Sequence, residues 1–307
     1  MTQIERLVSA GSTELVELVP GGTRVEKAVI PWMQGHMRHD QINEMRREIA
    51  VYNHLPKGHP RLLSLLSSYD TGDDVGIELE YMPNGSLREY VAKCAAAAVD
   101  GVPAVPKRLR ARWALEVVDG IKFLHAHNVI HGDIKPDNIV VDRTLGTRII
   151  DLSGCALLDQ PALCLENTRY FMPRPPRPEL DGRRSCSVVT DLFGAGSTLY
   201  FIVTGRQPYE ELADAEVEAR YELHEFPSLD DRIGEAAGDE GENAAVAADP
   251  GPVSVLFAGT IRKCWHGQFT SATDVLAALQ AETRATFCND DLAYIEATSG
   301  IALRKGS

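Results

Sequence analysis

Between His131 and Asp151 the chain sets Asp133, Lys135, Asn138 and Asp151 around a pair of short apolar runs, and few folds accommodate that order. His131-Gly132-Asp133-Ile134-Lys135-Pro136-Asp137-Asn138 leads into Ile139-Val140-Val141, and Thr147-Arg148-Ile149-Ile150-Asp151 follows after a short polar turn. Both runs are apolar and β-branched, which predicts two strands over 139–142 and 147–151 with a turn at 143–146. A hairpin joins its outer ends, so Asn138 and Asp151 meet and can share a cation through oxygen ligands, as magnesium prefers. Asp133 lies just before that end, placed to receive a proton, and Lys135 offers a point charge to a phosphate oxygen. Transfer of a phosphoryl group asks mainly for positioning and charge neutralisation, and these residue types supply both.

The stretch resembles the catalytic loop and magnesium-binding motif of eukaryotic protein kinases. Lys135-Pro136-Asp137-Asn138 is similar to the serine/threonine form of that loop rather than the tyrosine form. Two departures stand out: Gly132 replaces the usual Arg, and Asp151-Leu152-Ser153 replaces Asp-Phe-Gly, with Gly154 one place late. The resemblance implies an α+β, bilobal fold, with a small β-rich N-terminal lobe carrying one helix C and a larger, mostly helical C-terminal lobe. It assigns residues 1–82 to the first lobe and hinge, and 83–307 to the second.

The N-terminal third fits this expectation. Strand-like runs over 15–19 and 25–30 flank the turn signal Pro20-Gly21-Gly22. Alternation puts Val25, Lys27 and Val29 on one strand face, so a cation is aimed into a cleft between two valines. By resemblance Lys27 is the strand-three lysine that holds the α- and β-phosphates. Gly11 corresponds to the middle glycine of the nucleotide-covering loop and Val16 to the valine over the base. The first and third glycine positions are Ser9 and Glu14, a weakened loop whose acidic residue repels phosphate. Residues 40–55 predict a helix, with Ile42, Met45, Ile49 and Tyr52 at helical spacing and Pro56-Lys57-Gly58 ending it. Glu48 on that helix resembles the glutamate that pairs with the strand-three lysine. His36 and His39 read as surface histidines in a loop. Residues 75–82 predict a strand running into a linker; by resemblance Leu79 is the gatekeeper and Glu80-Tyr81-Met82 the hinge that bonds the adenine. Val25 and Val140 join the nucleotide-binding set on the same ground.

Further on, residues 94–107 read as an insertion, and a helix over 109–125 carries Trp113, Val117, Ile121 and Leu124 on one face. The activation segment falls at 151–174, and Arg174 stands where kinases usually carry a glutamate. That glutamate normally pairs with a late arginine; here the late position reads Thr270-Ser271-Ala272, so both halves of the pair are missing together. Arg174-Pro175-Pro176-Arg177-Pro178 reads as a stiff floor for peptide docking. Residues 188–204 predict a buried helix, in which Asp191 resembles the aspartate that braces the catalytic loop. The segment from 229 to 252 is rich in Asp, Glu, Ala and Gly and reads as a disordered acidic insertion.

The net charge of −13 argues against general nucleic-acid or anionic-membrane binding. No apolar stretch approaches the roughly 20 residues that span a bilayer, and the N-terminus lacks a secretory pattern. Six scattered cysteines without a Cys-x-x-Cys pair predict reduced thiols, in the cytosol or nucleus. The leading expectation is an ATP-dependent serine/threonine protein kinase acting on a protein hydroxyl. In it Asp133 and Lys135 are catalytic, Asn138 and Asp151 hold Mg2+, and ATP and a protein substrate are the partners. A pseudokinase serving as a nucleotide-binding or regulatory module stands as the alternative, motivated by the weakened glycine loop and Ser153. A small-molecule phosphotransferase, favoured only by His131-Gly132-Asp133, stands third.

Overall fold

The structure is a computed structural model, described here for residues 7–10, 14–97, 105–157, 160–176, 184–230 and 255–303. Alternation of apolar and polar residues builds the first half. Strands β1 (Leu7–Ala10), β2 (Glu14–Leu18), β3 (Arg24–Val29), β4 (Leu65–Asp70) and β5 (Val75–Glu80) form one antiparallel sheet in the order β1-β2-β3-β5-β4. Val25, Lys27 and Val29 are all buried on one face of β3, as period two requires. Helix α1 (Gly35–His54) packs on this sheet through Ile42, Met45, Val51 and Tyr52, all buried. It starts five residues before the sequence pattern predicted, so His36 and His39 lie on its first turns rather than in a loop. Its N-cap, Gln34, makes no side-chain cap bond, and Gly35 has a φ of +63°, so the usual start signal is missing.

The second half is helical. Helix α2 (Leu87–Ala96) opens on a capping box in which Ser86 and Glu89 satisfy each other's backbone N–H groups. It absorbs the first residues of the expected insertion; residues 98–104 lie outside the described set. Helix α3 (Lys107–Ala126) buries Trp113, Val117, Ile121 and Leu124 on the predicted face. After it, β6 (Val129–Ile130) pairs with β9 (Ala156–Leu157), and between them β7 (Ile139–Val141) and β8 (Thr147–Ile149) form the predicted hairpin. Helix α4 (Val188–Thr204) is buried from Thr190 through Ile202, as its all-round apolar surface demands, and Gly205 closes it at a φ of +79°. Helices α5 (Asp214–Glu222), α6 (Ala258–Trp265), α7 (Ala272–Thr286) and α8 (Asn289–Ser299) complete the helical half. Leu229 is buried and its carbonyl accepts the N–H of Val255, so ordered structure extends into the start of the expected acidic insertion. Residues 231–254, which include the rest of that insertion, lie outside the described set.

Two features lock the halves together. Backbone bonds from Leu63 to Ile149 (3.1 Å) and from Ile149 to Arg61 (2.8 Å) stitch the segment before β4 to the hairpin. Beneath them the fully buried Glu116 of α3 accepts from Arg61 (3.0 Å), Arg112 (2.8 Å) and the backbone of Thr147 (2.8 Å). A carboxylate with that many donors is compensated for its lost hydration, and it fixes the hairpin against α3.

Candidate nucleotide and phosphotransfer site

The hairpin does what its sequence requires. Ile150 donates its N–H to the carbonyl of Asn138 (3.0 Å), which brings Asn138 and Asp151 to the same end. From the sheet side, β3 delivers Lys27 and α1 delivers Glu48, the latter fully buried. Lys27 Nζ stands 2.7 Å from Glu48 Oε2 and 3.0 Å from Asp151 Oδ1, so one ammonium joins both walls of the cleft. Glu48 Oε1 also accepts the backbone N–H of Leu152 (3.3 Å), which orients the segment after Asp151. Burial pushes the Glu48 carboxyl up, and the neighbouring ammonium pulls it back. Burial likewise works to raise Asp151, but the Lys27 ammonium and the Ser153 hydroxyl outweigh it and hold this carboxyl at about 2. Ser153 Oγ donates to Asp151 Oδ1 at 2.9 Å, so a residue that reads as a departure in the sequence supplies a hydrogen bond to an acid of the site. Asp151 itself sits at a φ of +64°, a left-handed conformation that is costly for a non-glycine residue and recurs at functional sites.

The loop before the hairpin is braced from below. Asp191 near the start of α4 accepts the backbone N–H groups of His131 and Gly132, both at 2.8 Å, and meets His125 Nε2 at 2.8 Å. His131 Nε2 in turn bonds the carbonyl of Ile150 (3.0 Å), tying the loop to the strand that ends at Asp151. Asp133 Oδ2 accepts from Lys135 Nζ (2.5 Å) and Asn138 Nδ2 (2.7 Å). Its other oxygen, Oδ1, is buried without a hydrogen-bond partner among the described residues. Such an atom is normally satisfied, so a ligand hydroxyl is the natural partner for it. Burial raises the Asp133 carboxyl above its ordinary value, against the pull of Lys135.

Between the two walls lies a cleft of about 420 Å³, within the size range of small-molecule sites. Val16, Val25, Lys27, Glu48, Leu79, Glu80, Met82, Val140, Asn138 and Asp151 all line it. The structure therefore brings together the sequence-predicted nucleotide and metal residues, save Gly11, which lies outside the described set. Asp133 and Lys135 sit beside the cleft, joined to it through Asn138. Sequence reasoning missed Leu63 and Ile150, which add apolar wall, and Asp137, held by Arg88 in two bonds of 2.7 and 2.9 Å. Leu63 and Ile150 carry no chemical signal; only the strand pairing across the halves places them here. The donor set of Asn138 and Asp151 is a hard-oxygen pair, which fits magnesium and not a softer ion.

The model of the protein kinase domain matches residues 21–243. The chain belongs to the protein kinase family. Its serine/threonine-kinase relatives include the probable serine/threonine-protein kinase KCC4 of Saccharomyces cerevisiae, 28% identical over 66% of this chain and 19% of that protein. The probable cAMP-dependent protein kinase catalytic subunit of Encephalitozoon cuniculi is 26% identical over 67% of this chain and 60% of its own. Cell division control protein 7 of Schizosaccharomyces pombe is 27% identical over 66% of this chain and 18% of its own. The chain thus spans only part of the length of these relatives, about a fifth for two of them. No helix among the described residues is long and apolar enough to cross a membrane.

Arg174, which stands where kinases usually carry a glutamate, makes a pair of its own: it donates to both oxygens of Glu166, at 2.8 and 3.0 Å, and its guanidinium lies 4.5 Å over the ring of Phe171. Pro175 and Pro176 line a groove of about 750 Å³ beside it; Arg177 and Pro178 lie outside the described residues.

Proposed function

We propose that the chain is an ATP-dependent serine/threonine protein kinase that transfers the γ-phosphate of ATP to a protein hydroxyl. The observation that carries this reading is the double ion pair of Lys27, which holds Glu48 and Asp151 at once and so sets both walls of the cleft in register. In this reading the chain divides after Met82 into an upper lobe and a lower lobe, with the adenine against the Glu80–Met82 hinge. Val16, Val25, Leu79 and Val140 enclose the base, and Gly11 covers the phosphates. Lys27 neutralises the upstream phosphates. Asp133 orients the substrate hydroxyl and accepts its proton on Oδ1, the oxygen that has no other partner among the described residues. Lys135, two residues on, swings from Asp133 to the γ-phosphate. Asn138 and Asp151 hold magnesium, which neutralises charge on the phosphate oxygens when bound. The cysteine pattern of the sequence, without a Cys-x-x-Cys pair, supports a cytosolic or nuclear setting.

Gly132 removes the arginine that clamps a phosphorylated activation loop in the family's usual form, so transfer proceeds without loop phosphorylation. The test is labelled ATP and magnesium with Ser/Thr peptide libraries, comparing the native chain with Asp133→Ala. The native chain labels serine or threonine, and the variant is slower by at least about a hundredfold while still binding ATP. Equal labelling removes Asp133 from its role. ATP binding with no transfer to any peptide supports the pseudokinase reading instead, and labelling of a small alcohol but no peptide supports the third.

A further inference from the structure

A second cluster of reactive side chains lies outside the cleft, behind the catalytic loop. The Sγ atoms of Cys164 and Cys186 and a carboxylate oxygen of Glu166 all fall within 4.8 Å of one another. Both cysteines are half-buried, so small solutes reach them. Cys164 holds a φ of +56°, a left-handed conformation that is unfavourable for a non-glycine residue. Strain of that kind clusters at functional positions. Cys186 occupies the last residue before the N-cap of α4, Ser187.

Three facts decide what this cluster does. Arg174 donates to both oxygens of Glu166 and to Cys186 Sγ (3.4 Å), so a fixed cation already stands among the candidate ligands. A metal ion entering there meets like charge, which disfavours a metal site and favours thiolate. The Cys186 thiol hydrogen-bonds to Cys164 and, with help from Arg174 and against burial and Glu166, lowers the Cys164 thiol to about 7. The same bond raises Cys186, which keeps its proton. A thiol of raised acidity therefore stands within 4.8 Å of one that holds its proton more tightly, the pairing of an attacking and a resolving cysteine.

We propose that Cys164 and Cys186 form a hydroperoxide-reactive thiol pair that closes to a disulfide between the activation segment and the entry to α4. The Cys164 thiolate attacks one oxygen of the hydroperoxide; an S–O bond forms, the O–O bond breaks, and the departing oxygen takes a proton and leaves as water or alcohol. Cys186 then loses its proton and attacks the Cys164 sulfenic sulfur; the S–S bond forms, the S–O bond breaks, and hydroxide leaves with that proton as water. Two thiols are oxidised by two electrons and the hydroperoxide is reduced by two. A dithiol reductant reverses the change.

The location gives the bond a consequence. A Cβ built on Gly132 stands 3.1 Å from Ala162 Cβ and 3.3 Å from Cys186 Sγ, so the place where the family's arginine begins is taken by the thiol pair's own surroundings. Leu165, next to Cys164, donates its N–H to the Gly132 carbonyl at 3.2 Å. The bond thus forms directly behind the residue that precedes Asp133. The thiol chemistry goes beyond the kinase reading and does not depend on it.

The experiment exposes the full native chain to hydrogen peroxide at neutral pH, caps free thiols and maps the peptides by mass spectrometry without reduction. The expected product is one chain lighter by two hydrogens, with Cys164 joined to Cys186, restored by dithiothreitol. In Cys186→Ser the reaction stops at a Cys164 sulfenic acid that dimedone captures, and in Cys164→Ser labelling of Cys186 slows at least tenfold. The proposal is overturned if Cys164 reacts no faster than the exposed Cys288. A Cys164 bond to any other cysteine, or a native chain carrying stoichiometric zinc that Cys186→Ser loses, overturns it as well.

Discussion

The nucleotide cleft and the activation segment are both built on buried ion pairs, but the pairs have opposite reach. In the cleft, Lys27 joins a partner 21 residues away to one 124 residues away, so its geometry exists only once the sheet, α1 and the hairpin have assembled. In the activation segment, Arg174 finds Glu166 eight residues back, and the pair closes within its own stretch of chain. The cleft is therefore a product of the whole fold and sensitive to every part of it. The segment carries its own cation, so the Glu166 carboxylate is satisfied without a partner from a distant element.

The largest expected effect comes from Lys27→Met. It removes the cation shared by two carboxylates, and transfer falls by at least a hundredfold, the scale seen when a fixed charge is withdrawn from a phosphate or oxyanion site. ATP affinity, read by titration, falls with it; native-like turnover in this variant breaks the claim that the cleft depends on one shared ion. Next comes Arg174→Ala, which strands the nearly buried Glu166 carboxylate without its guanidinium. Breaking such a pair costs about 3 kcal/mol, read as a lower midpoint in urea, with ATP affinity unchanged. The double variant Arg174→Met with Glu166→Leu recovers most of that loss, because no charge is left uncompensated. If instead the double variant is worse than the single one, the segment is held by something other than this pair.

These contrasts also explain what was legible beforehand. The charged residues of the site could be read because the motif from His131 to Asp151 is local, and because period-two alternation singled out Lys27 on β3. The hairpin, α3 and α4 were visible for the same reason: their signals lie within a few turns of chain. What stayed hidden was long-range or atypical. Glu116 is fixed by Arg61, 55 residues away, and no local pattern announces that contact. Helix α1 begins on a glycine without a capping side chain, so its first turn read as loop. Ser153 looked like damage to a motif, whereas its hydroxyl supports Asp151. Cys164 and Cys186 looked scattered because sequence distance says nothing about which loops fold back on each other.

A smaller effect tests the cleft through pH. Asp151 is held at about 2 against an ordinary 3.8, so its ionised form is favoured by the folded state. A carboxyl depressed on folding contributes stability that is fully present above the unfolded value and is lost as pH falls through the folded one. The contribution is on the order of 2 kcal/mol. Urea midpoints of the native chain and Asp151→Asn should therefore differ at pH 7 and converge between pH 4 and 2. A gap that stays constant over that range shows that the folded state does not depress this acid. Asp133 has the opposite sign, since burial raises it, and transfer should fail on acidification at a higher pH than an ordinary aspartate would impose.

The smallest effect falls where the two regions touch. Gly132 adopts a φ of +72°, and an added Cβ meets Ala162 and Cys186 at close range. Gly132→Ala should cost roughly 1–2 kcal/mol, mostly for placing a side chain in the left-handed region. If backbone strain dominates, adding Cys186→Ala to Gly132→Ala returns little of the loss, because the φ is unchanged. If the second substitution restores the native midpoint, the packing against the thiol is the larger cause. That outcome makes the glycine a consequence of the activation segment's position rather than of the catalytic loop's own geometry.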